Sequence, residues 1–504
     1  MQWNDLIREV TFFSSTATPD AEVTGVEYDS RRVAAGSVFV AMRGGSTDGN
    51  RYIDAAIKGG ASGILTDSQE AFAKLIEAHP GVPAALVEHG RNALAQAAAA
   101  FYGHPERRLH ATGVTGTNGK TTTAFLAESL LNHASRSTIL VGTIEYHVAG
   151  DVRPSAHTTP ESRDLFELMA EGVERGATEL VMEVSSHALD QRRVADIGFD
   201  VAIFTNLTRD HLDYHHTMED YFAAKRLLFD GTHYPAPRVA VLNADDPHTV
   251  ELADAVKAAG SQVVTYGLKT PADWHAEAVR LTPAGAEFLL KTPFGSADVQ
   301  SHLAGEVNVL NLLGALAEAS ARGVAFETLV NAIPALHPVP GRFQPVDAGQ
   351  PFTVIVDYAH TDDALRNLIG LARQLVASTH GRIITLFGCG GDRDRTKRPK
   401  MGQAAGEGSN FVVVTSDNPR SEDPQAIIDE ILPGLAATGV SYAVEPDRAA
   451  AIALALNEAR SGDVVLIAGK GHEKEQILRD RTIVFDDAKV ALSALRRLSY
   501  GGER

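Results

Sequence analysis

The segment that most restricts what this chain can fold into is Thr115-Gly116-Thr117-Asn118-Gly119-Lys120-Thr121-Thr122. It lies between a β-run starting at Leu109 and a helical pattern over residues 121–135, which is the opening of a βα unit. Consecutive backbone N–H groups at a helix start form an anion-binding concavity, and glycine lets that backbone approach a phosphate closely. Gly116, Thr117, Asn118 and Gly119 therefore read as a phosphate cradle that leads into Thr122. Lys120 would reach the β- and γ-phosphates, and Thr121 would place its hydroxyl on Mg²⁺. The usual pattern has glycine at the position held here by Val114, so the loop is a shorter G-x-x-G-K-T relative. A helix N-terminus with a glycine turn and a threonine cap is the plain alternative, and the strand–loop–helix setting argues against it. One such loop suits a kinase, a motor, a GTPase or a ligase equally.

The surroundings extend the βα reading. Further β-runs at residues 179–184, 201–205 and 239–242 alternate with helical stretches, which predicts a mostly parallel sheet with helices on both faces. Upstream, short β-runs at 37–42, 63–66 and 84–87 alternate with turns and an alanine-rich helix over 93–102. A proline-rich stretch, PALHPVPGRFQP at 334–345, marks a boundary, because proline continues neither a helix nor a central strand. The βα rhythm restarts at 352–357, 383–387, 411–415 and 464–468. The expectation is an α/β chain of three domains, at residues 1–103, 104–336 and 337–504. The central one has a P-loop-type, mostly parallel sheet and the last is Rossmann-like. The length of 504 residues agrees, at about 150 residues per domain.

Composition excludes more than it assigns. There are 64 acidic and 46 basic residues, a net charge of −18, so a phosphate backbone would repel the chain and nucleic acid is excluded as its main partner. Cys389 is the single cysteine, which allows no intramolecular disulfide and no multi-cysteine zinc site and points to a reducing compartment. The first residues, MQWNDLIREVTFFSS, spread charge through the segment and hold no apolar core of signal-peptide length. No apolar run is long enough to span a bilayer. A cytoplasmic protein without membrane insertion is expected.

Three further features carry chemistry. Glu183 ends a β-run beside the phosphate loop, where open α/β sheets bind ligands, and its oxygens suit Mg²⁺. On residue type alone, a solvated strand-end glutamate is the simpler reading. Residues 210–216 hold three histidines and two aspartates, at spacings that fit none of the common zinc patterns. Lys225 lies in the apolar helical stretch YFAAKRLLF. Burial lowers a lysine pKa, and a neutral amine can add carbon dioxide to become a carbamate, in effect a new carboxylate. Taken alone, a lysine on a helix edge is the blander reading.

Together the motifs resemble the Mur ligases, the ATP-dependent amino-acid-adding enzymes of peptidoglycan precursor synthesis. TGTNGKTT (115–122), EVSSHAL (183–189), NLTRDHLDYH (206–215), GEVNVLN (305–311), PGR (340–342) and DYAHTDDAL (357–365) carry the resemblance. VEYDSRRV (26–33), HTTP (157–160), SDNPR (416–420) and GKGHE (469–473) are similar to the members that add the third residue. The resemblance implies ATP as substrate and Mg²⁺ as cofactor, with Glu183, His211, Thr121 and a carbamylated Lys225 around the metal. It implies an adenine contact by Asn308, and Arg342, Asp357 and His360 at the nucleotide, His360 joining Lys120 and Lys225 in catalysis. For a UDP-MurNAc-L-Ala-D-Glu substrate the matching positions are Tyr28, Ser30, Gly45, Ser46, Thr47, His157, Thr158, Thr159, Ser185, Gln191 and Arg193. Position 157 is often asparagine in this pattern.

For the incoming meso-diaminopimelate, the resemblance implies Arg393, Asp417, Asn418, Pro419, Arg420, Gly469 and Glu473. A guanidinium grips a carboxylate through two parallel hydrogen bonds. Arg420, with Arg393 second, therefore suits the far carboxylate that lysine lacks, while Glu473 and the Gly469 carbonyl would take the far ammonium. Lysine-adding relatives do not carry arginine at the position of Arg420. The implied protein is a monomer, and the implied reaction forms an acyl phosphate that the amine attacks. The rival readings are the lysine-adding ligase, a folylpolyglutamate synthetase-like ligase, a P-loop kinase or ATPase, and a non-catalytic nucleotide-binding module.

Overall fold

The strand expected before the glycine-rich loop runs His110–Thr115 and is buried from Ala111 onward. The structure, a computed structural model, describes residues 1–16, 20–45, 47–282, 285–377 and 379–498. It divides into two units, residues 1–274 with 313–329, and residues 275–312 with 330–504. Residues 1–103 lie within the first unit, and residues 104–336 contribute to both.

In the first unit, His110–Thr115 lies inside a parallel sheet. Its neighbours are Glu179–Glu183, followed by Thr138–Val141, on one side, and Phe199–Phe204, Val239–Asn243 and Gln262–Gly267 on the other. Thr138–Val141, Glu179–Glu183 and Val239–Asn243 are buried at every residue, as in parallel sheets covered on both faces; Val201, Ala202, Ile203 and Phe204 have no exposed surface. The register sets Glu183 opposite Val114 and Phe204 opposite Thr115. The carboxyl ends of three adjacent strands are therefore level, at the edge where ligands bind in such sheets. The helix Lys120–His133 leaves the loop and buries Ala124, Leu126, Ala127, Leu130 and Leu131. A separate sheet holds the parallel strands Gly25–Glu27, Ser37–Ala41, Gly63–Thr66 and Ala84–Val87, with Phe12–Ser15 antiparallel at its edge. The alanine-rich helix Gly90–Phe101 packs with its alanines buried.

The second unit has parallel strands in the order Thr353–Asp357, Val464–Ala468, Ile383–Phe387, Phe411–Val414 and Ser441–Val444. Successive side chains in a strand point to opposite faces, and here each face has its own core. Ile355, Leu466, Val412 and Val414 enter one cluster, while Val354, Val356, Val465 and Val413 enter the other. Arg448 and Asp487, both without exposed surface, pair at 2.6 Å. The same guanidinium donates to the carbonyls of Ser416 and Ala468, at 3.2 and 3.0 Å, and so fixes the ends of two strands. From His275 onward this unit also contains an antiparallel meander, Trp274–Thr282, Gly285–Thr292 and Gly295–Ser301, for which the apolar runs gave no sign.

Candidate active site

The phosphate loop has its shape because two of its positions exclude a side chain. Gly116 has φ +149°, and a Cβ there would lie 1.9 Å from Thr205 Oγ1; Gly119, at φ +84°, caps the helix Lys120–His133. The run after the strand Phe199–Phe204 braces the loop. Asn206 accepts the N–H of Thr117 on its carbonyl (2.8 Å) and that of Asn118 on its side chain (2.9 Å). Thr205 Oγ1 and Asn206 Nδ2 both donate to the Asn118 carbonyl, at 2.6 and 3.1 Å. Asn243 and Asp246 anchor that run through the Thr205 carbonyl and the Leu207 N–H. None of these braces was singled out from the sequence.

Glu183, only 1% exposed, faces this loop. Its Oε2 accepts from Thr121 Oγ1 (3.0 Å) and Thr143 Oγ1 (3.1 Å), and its Oε1 accepts the Thr143 N–H at 2.7 Å. Gly142 makes room for it, since a Cβ there would lie 2.6 Å from Oε1. Glu183 and Thr121 are thus brought together as expected, and Thr143 is an addition. Lys120 Nζ folds back to the carbonyls of Gly116 (2.9 Å) and Thr117 (2.8 Å).

Lys225, on the helix Met218–Arg226, is 1% exposed and donates to the same Gly116 carbonyl at 2.7 Å. Its ammonium position lies 4.3 Å from the centroid of the Tyr221 ring. Burial first, and the charge of Lys120 second, hold its pKa well below the usual lysine range, with Asp210 opposing. His211 stands at φ +53° before the short helix Leu212–His215, its ring 4.9 Å from that of His187 and 5.9 Å from that of Tyr221. Among the described residues, no three His, Cys, Asp or Glu side chains converge as a metal-holding group.

Four of the residues expected at the sugar–peptide substrate form one network. Thr159 Oγ1 donates to the Glu183 carbonyl (2.8 Å) and accepts the Ser185 N–H (3.1 Å). Arg193 donates to the Thr159 carbonyl (3.0 Å) and to Gln191 Oε1 (2.9 Å). Thr158 joins through Thr143, at 3.0 Å between their hydroxyls. The His157 side chain is exposed, and the backbone there is pinned at both N–H and carbonyl by the Tyr146 hydroxyl. Tyr28 donates to Asp164 at 2.7 Å. Among the described residues, Ser30, Gly45 and Thr47 make no hydrogen bond or ion pair with the Thr159 network, and Thr47 Oγ1 lies 3.5 Å from the Tyr52 hydroxyl. Ser46 lies outside the described residues.

In the second unit, Asp357 accepts the N–H groups of Phe343 (2.7 Å) and Ala359 (2.8 Å), which fixes the turns carrying Arg342 and His360. The Arg342 guanidinium lies 4.9 Å over the Tyr358 ring, whose neighbours are His360 at 4.6 Å and His472 at 4.8 Å. Tyr358 and His472 fall in DYAHTDDAL and GKGHE, motifs whose resemblance implies no role for them. Asn308, 3% exposed, donates to the Ala304 carbonyl at 2.9 Å.

The residues expected to hold the amino acid gather at the ends of the strands Ile383–Phe387, Phe411–Val414 and Val464–Ala468. Arg420, at φ +51°, donates to the Gly391 carbonyl at 2.8 Å. A Cβ on Gly390 would lie 2.9 Å from its terminal nitrogen and 3.8 Å from Arg393 Cγ, so both arginines border this glycine. Arg393 is exposed and Pro419 is buried. Asp417 abuts Gly469, where a Cβ would lie 2.5 Å from its Oδ2, and Asn418 donates to Glu473 at 2.7 Å. Two further residues support the group. Fully buried Arg398 pairs with Glu422 (2.8 Å) and Glu430 (2.9 Å), and Lys470 lies against Asn418 and Glu473.

A glycine-rich phosphate loop with a buried carboxylate and lysine beside it, followed by a second α/β unit bearing an arginine–carboxylate group, is the pattern the motifs suggested, and comparison with known proteins agrees. The chain belongs to the Mur ligase family. The model of the Mur ligase middle domain matches residues 114–319, that of the glutamate ligase domain residues 341–471, and that of the family's catalytic domain residues 22–102. The UDP-N-acetylmuramoyl-L-alanyl-D-glutamate–2,6-diaminopimelate ligase of Solibacter usitatus is 50% identical over 482 residues, covering 95% of this chain and 94% of that relative. The ligase of the same description from Geobacillus kaustophilus is 45% identical over 479 residues, covering 94% and 95%. A solved structure with that description matches at 33% identity and a TM-score of 0.69, over 95% of each chain. The α/β reading and the family resemblance are both borne out.

Proposed function

We propose that this chain is the ATP-dependent ligase that joins meso-2,6-diaminopimelate to UDP-MurNAc-L-Ala-D-Glu in peptidoglycan precursor synthesis. One observation carries the reading. Arg420 and Arg393 border Gly390, Asp417 abuts Gly469 and Asn418 bonds Glu473, in a chain that matches ligases so described along nearly their whole length. Paired guanidinium groups suit the far carboxylate, and Glu473 with the Gly469 carbonyl suits the far ammonium. A bare-ended lysine would leave the arginines without their partner.

A free carboxylate is a poor electrophile and must be activated before an amine can attack it. In the proposed reaction the γ-carboxylate of D-glutamate attacks the γ-phosphate of ATP in line, and ADP leaves. The amine of diaminopimelate then attacks the acyl phosphate, and phosphate leaves from the tetrahedral intermediate. Catalysis of this kind is mostly positioning and charge stabilisation. The loop Gly116–Gly119, Lys120 and the helix start at Thr121 and Thr122 would hold the phosphates, Asn308 the adenine, and Arg342, Asp357 and His360 the rest of the nucleotide. Thr159, Ser185, Gln191 and Arg193, with Thr158, His157, Tyr28, Ser30 and the 45–47 loop, would hold the UDP-sugar peptide.

The residues beside the loop fit Mg²⁺. Glu183 is a buried carboxylate whose hydrogen-bond donors are neutral hydroxyls and one amide, a hard oxygen set suited to that ion. Glu183, Thr121, His211 and the carbamate of Lys225 would hold it, and when bound it supplies neutralisation of charge on the transferring phosphoryl group. The neutral amine of Lys225 adds carbon dioxide through a new N–C bond, and one proton passes to solvent. Residues 1–103 then serve the UDP-sugar, 104–336 ATP, and 337–504 the amino acid, in a monomer working in the cytoplasm. No helix among the described residues is long and apolar enough to cross a membrane.

Release of ADP tests the reading. With ATP and Mg²⁺ present, ADP should accumulate only when both UDP-MurNAc-L-Ala-D-Glu and diaminopimelate are supplied. Equal ADP release without the amine would indicate an ATPase or kinase and contradict the ligase.

A further inference from the structure

Lys470 has no exposed surface. Its ammonium donates to three acceptors: Asn418 Oδ1 (3.1 Å), Glu473 Oε2 (2.9 Å) and the Glu475 carbonyl (2.6 Å). A buried ammonium is tolerated when its donors are satisfied and its charge is matched, and these acceptors supply both. Two of them belong to side chains proposed above to hold the incoming amino acid. Asn418 Nδ2 also donates to Glu473 Oε2 at 2.7 Å, so Lys470, Asn418 and Glu473 form a closed ring in which each is bonded to the other two. The Ile477 N–H adds a bond to Asn418 Oδ1 at 3.0 Å. Both side-chain donors take Oε2 of Glu473. Its Oε1 is engaged by neither, and the side chain stays 32% exposed, so Oε1 is the atom left to meet a ligand ammonium.

We propose that Lys470 is a positioning and specificity-determining residue of the amino-acid site. It sets Asn418 and Glu473 in one arrangement and cancels one negative charge, so the site favours a far end that is a zwitterion over a bare ammonium. Within the ring, the Lys470 ammonium matches the Glu473 carboxylate; without it Glu473 is free to pair with a bare ammonium. The nearby buried Arg448 is matched by Asp487 and leaves this balance unchanged. The inference rests on the ligase reading, and a wild-type enzyme that ligates no diaminopimelate would fail that reading before any variant is compared.

The test uses full-length enzyme with Lys470→Met, Glu473→Gln and the double substitution, under saturating ATP and UDP-MurNAc-L-Ala-D-Glu. Lys470→Met should raise KM for diaminopimelate about tenfold or more, as for loss of one partner of a buried charge pair, with KM for ATP unchanged. The ratio of kcat/KM for lysine to that for diaminopimelate should rise by a similar factor. Because Lys470 acts through Glu473, the double variant should lose less than the product of the two single losses. If the methionine variant does not fold, as its melting profile would show, Lys470→Gln keeps a donor while removing the charge and should shift the same ratio. An unshifted ratio in a folded variant, or single losses that simply multiply, overturns the proposal.

Discussion

Lys120 and Lys225 both donate to the Gly116 carbonyl, at 2.9 and 2.7 Å. Two ammonium groups on one oxygen repel each other, and burial first, with the Lys120 charge second, lowers the pKa of the more deeply buried Lys225. Carbamylation would turn this repulsive pair into an attractive one, a carbamate beside a cation. Replacing Lys225 by alanine should therefore lower kcat by about a hundredfold or more, the scale of losing one preorganised charge-stabilising group. Short carboxylic acids in the buffer should partly restore it. A variant that keeps its activity, or loses it without rescue while remaining folded, argues against the carbamate. From the sequence alone Lys225 is an unremarkable helix lysine; its burial exists only once Met218–Arg226 packs beneath the phosphate loop.

At the level of elements, strands rich in valine and isoleucine were legible because burial on both faces demands such runs. The meander over 274–301 was not. Its strands alternate buried Phe288 and Leu290 with Glu287 and Lys291, so no continuous apolar run marks them. The braces of the phosphate loop were hidden for another reason. Thr205 and Asn206 reach Asn118 across about 88 residues of chain, a pairing that only the parallel register creates. All the residues proposed for the amino acid but Arg393 fall in two short motifs, and Lys470 lies in one of them, whereas the buried Arg398 offered only its residue type. The strand Glu145–Val148 shows how such partners secure an element. His147 Nδ1 lies 2.8 Å from both Glu128 oxygens and Nε2 lies 3.0 Å from Glu145. Burial opposes the charge, but the two carboxylates outweigh it and raise the pKa to about 9. A raised pKa means the stabilisation is fully present below about 6.5 and is lost as pH climbs through about 9. At about 1.4 kcal/mol per pKa unit this amounts to a few kcal/mol. His147→Gln should therefore lower Tm most near pH 6, with a deficit that shrinks above pH 9; a deficit independent of pH would contradict the charged pair.

For the whole molecule, the net charge of −18 proves a poor guide to ligands. The anionic substrates of the proposed reaction would be met by a few local cations, Lys120, Arg193, Arg393 and Arg420, in an otherwise acidic chain. The phosphate loop belongs to the first unit and the arginine–carboxylate group to the second. The most direct test is to supply ATP, Mg²⁺ and UDP-MurNAc-L-Ala-D-Glu with equal amounts of meso-diaminopimelate and L-lysine, and to weigh the product. The account predicts a nucleotide-linked tripeptide heavier than the starting dipeptide by one diaminopimelate less one water. A lysine-bearing product, or an unchanged dipeptide alongside released ADP, would contradict it.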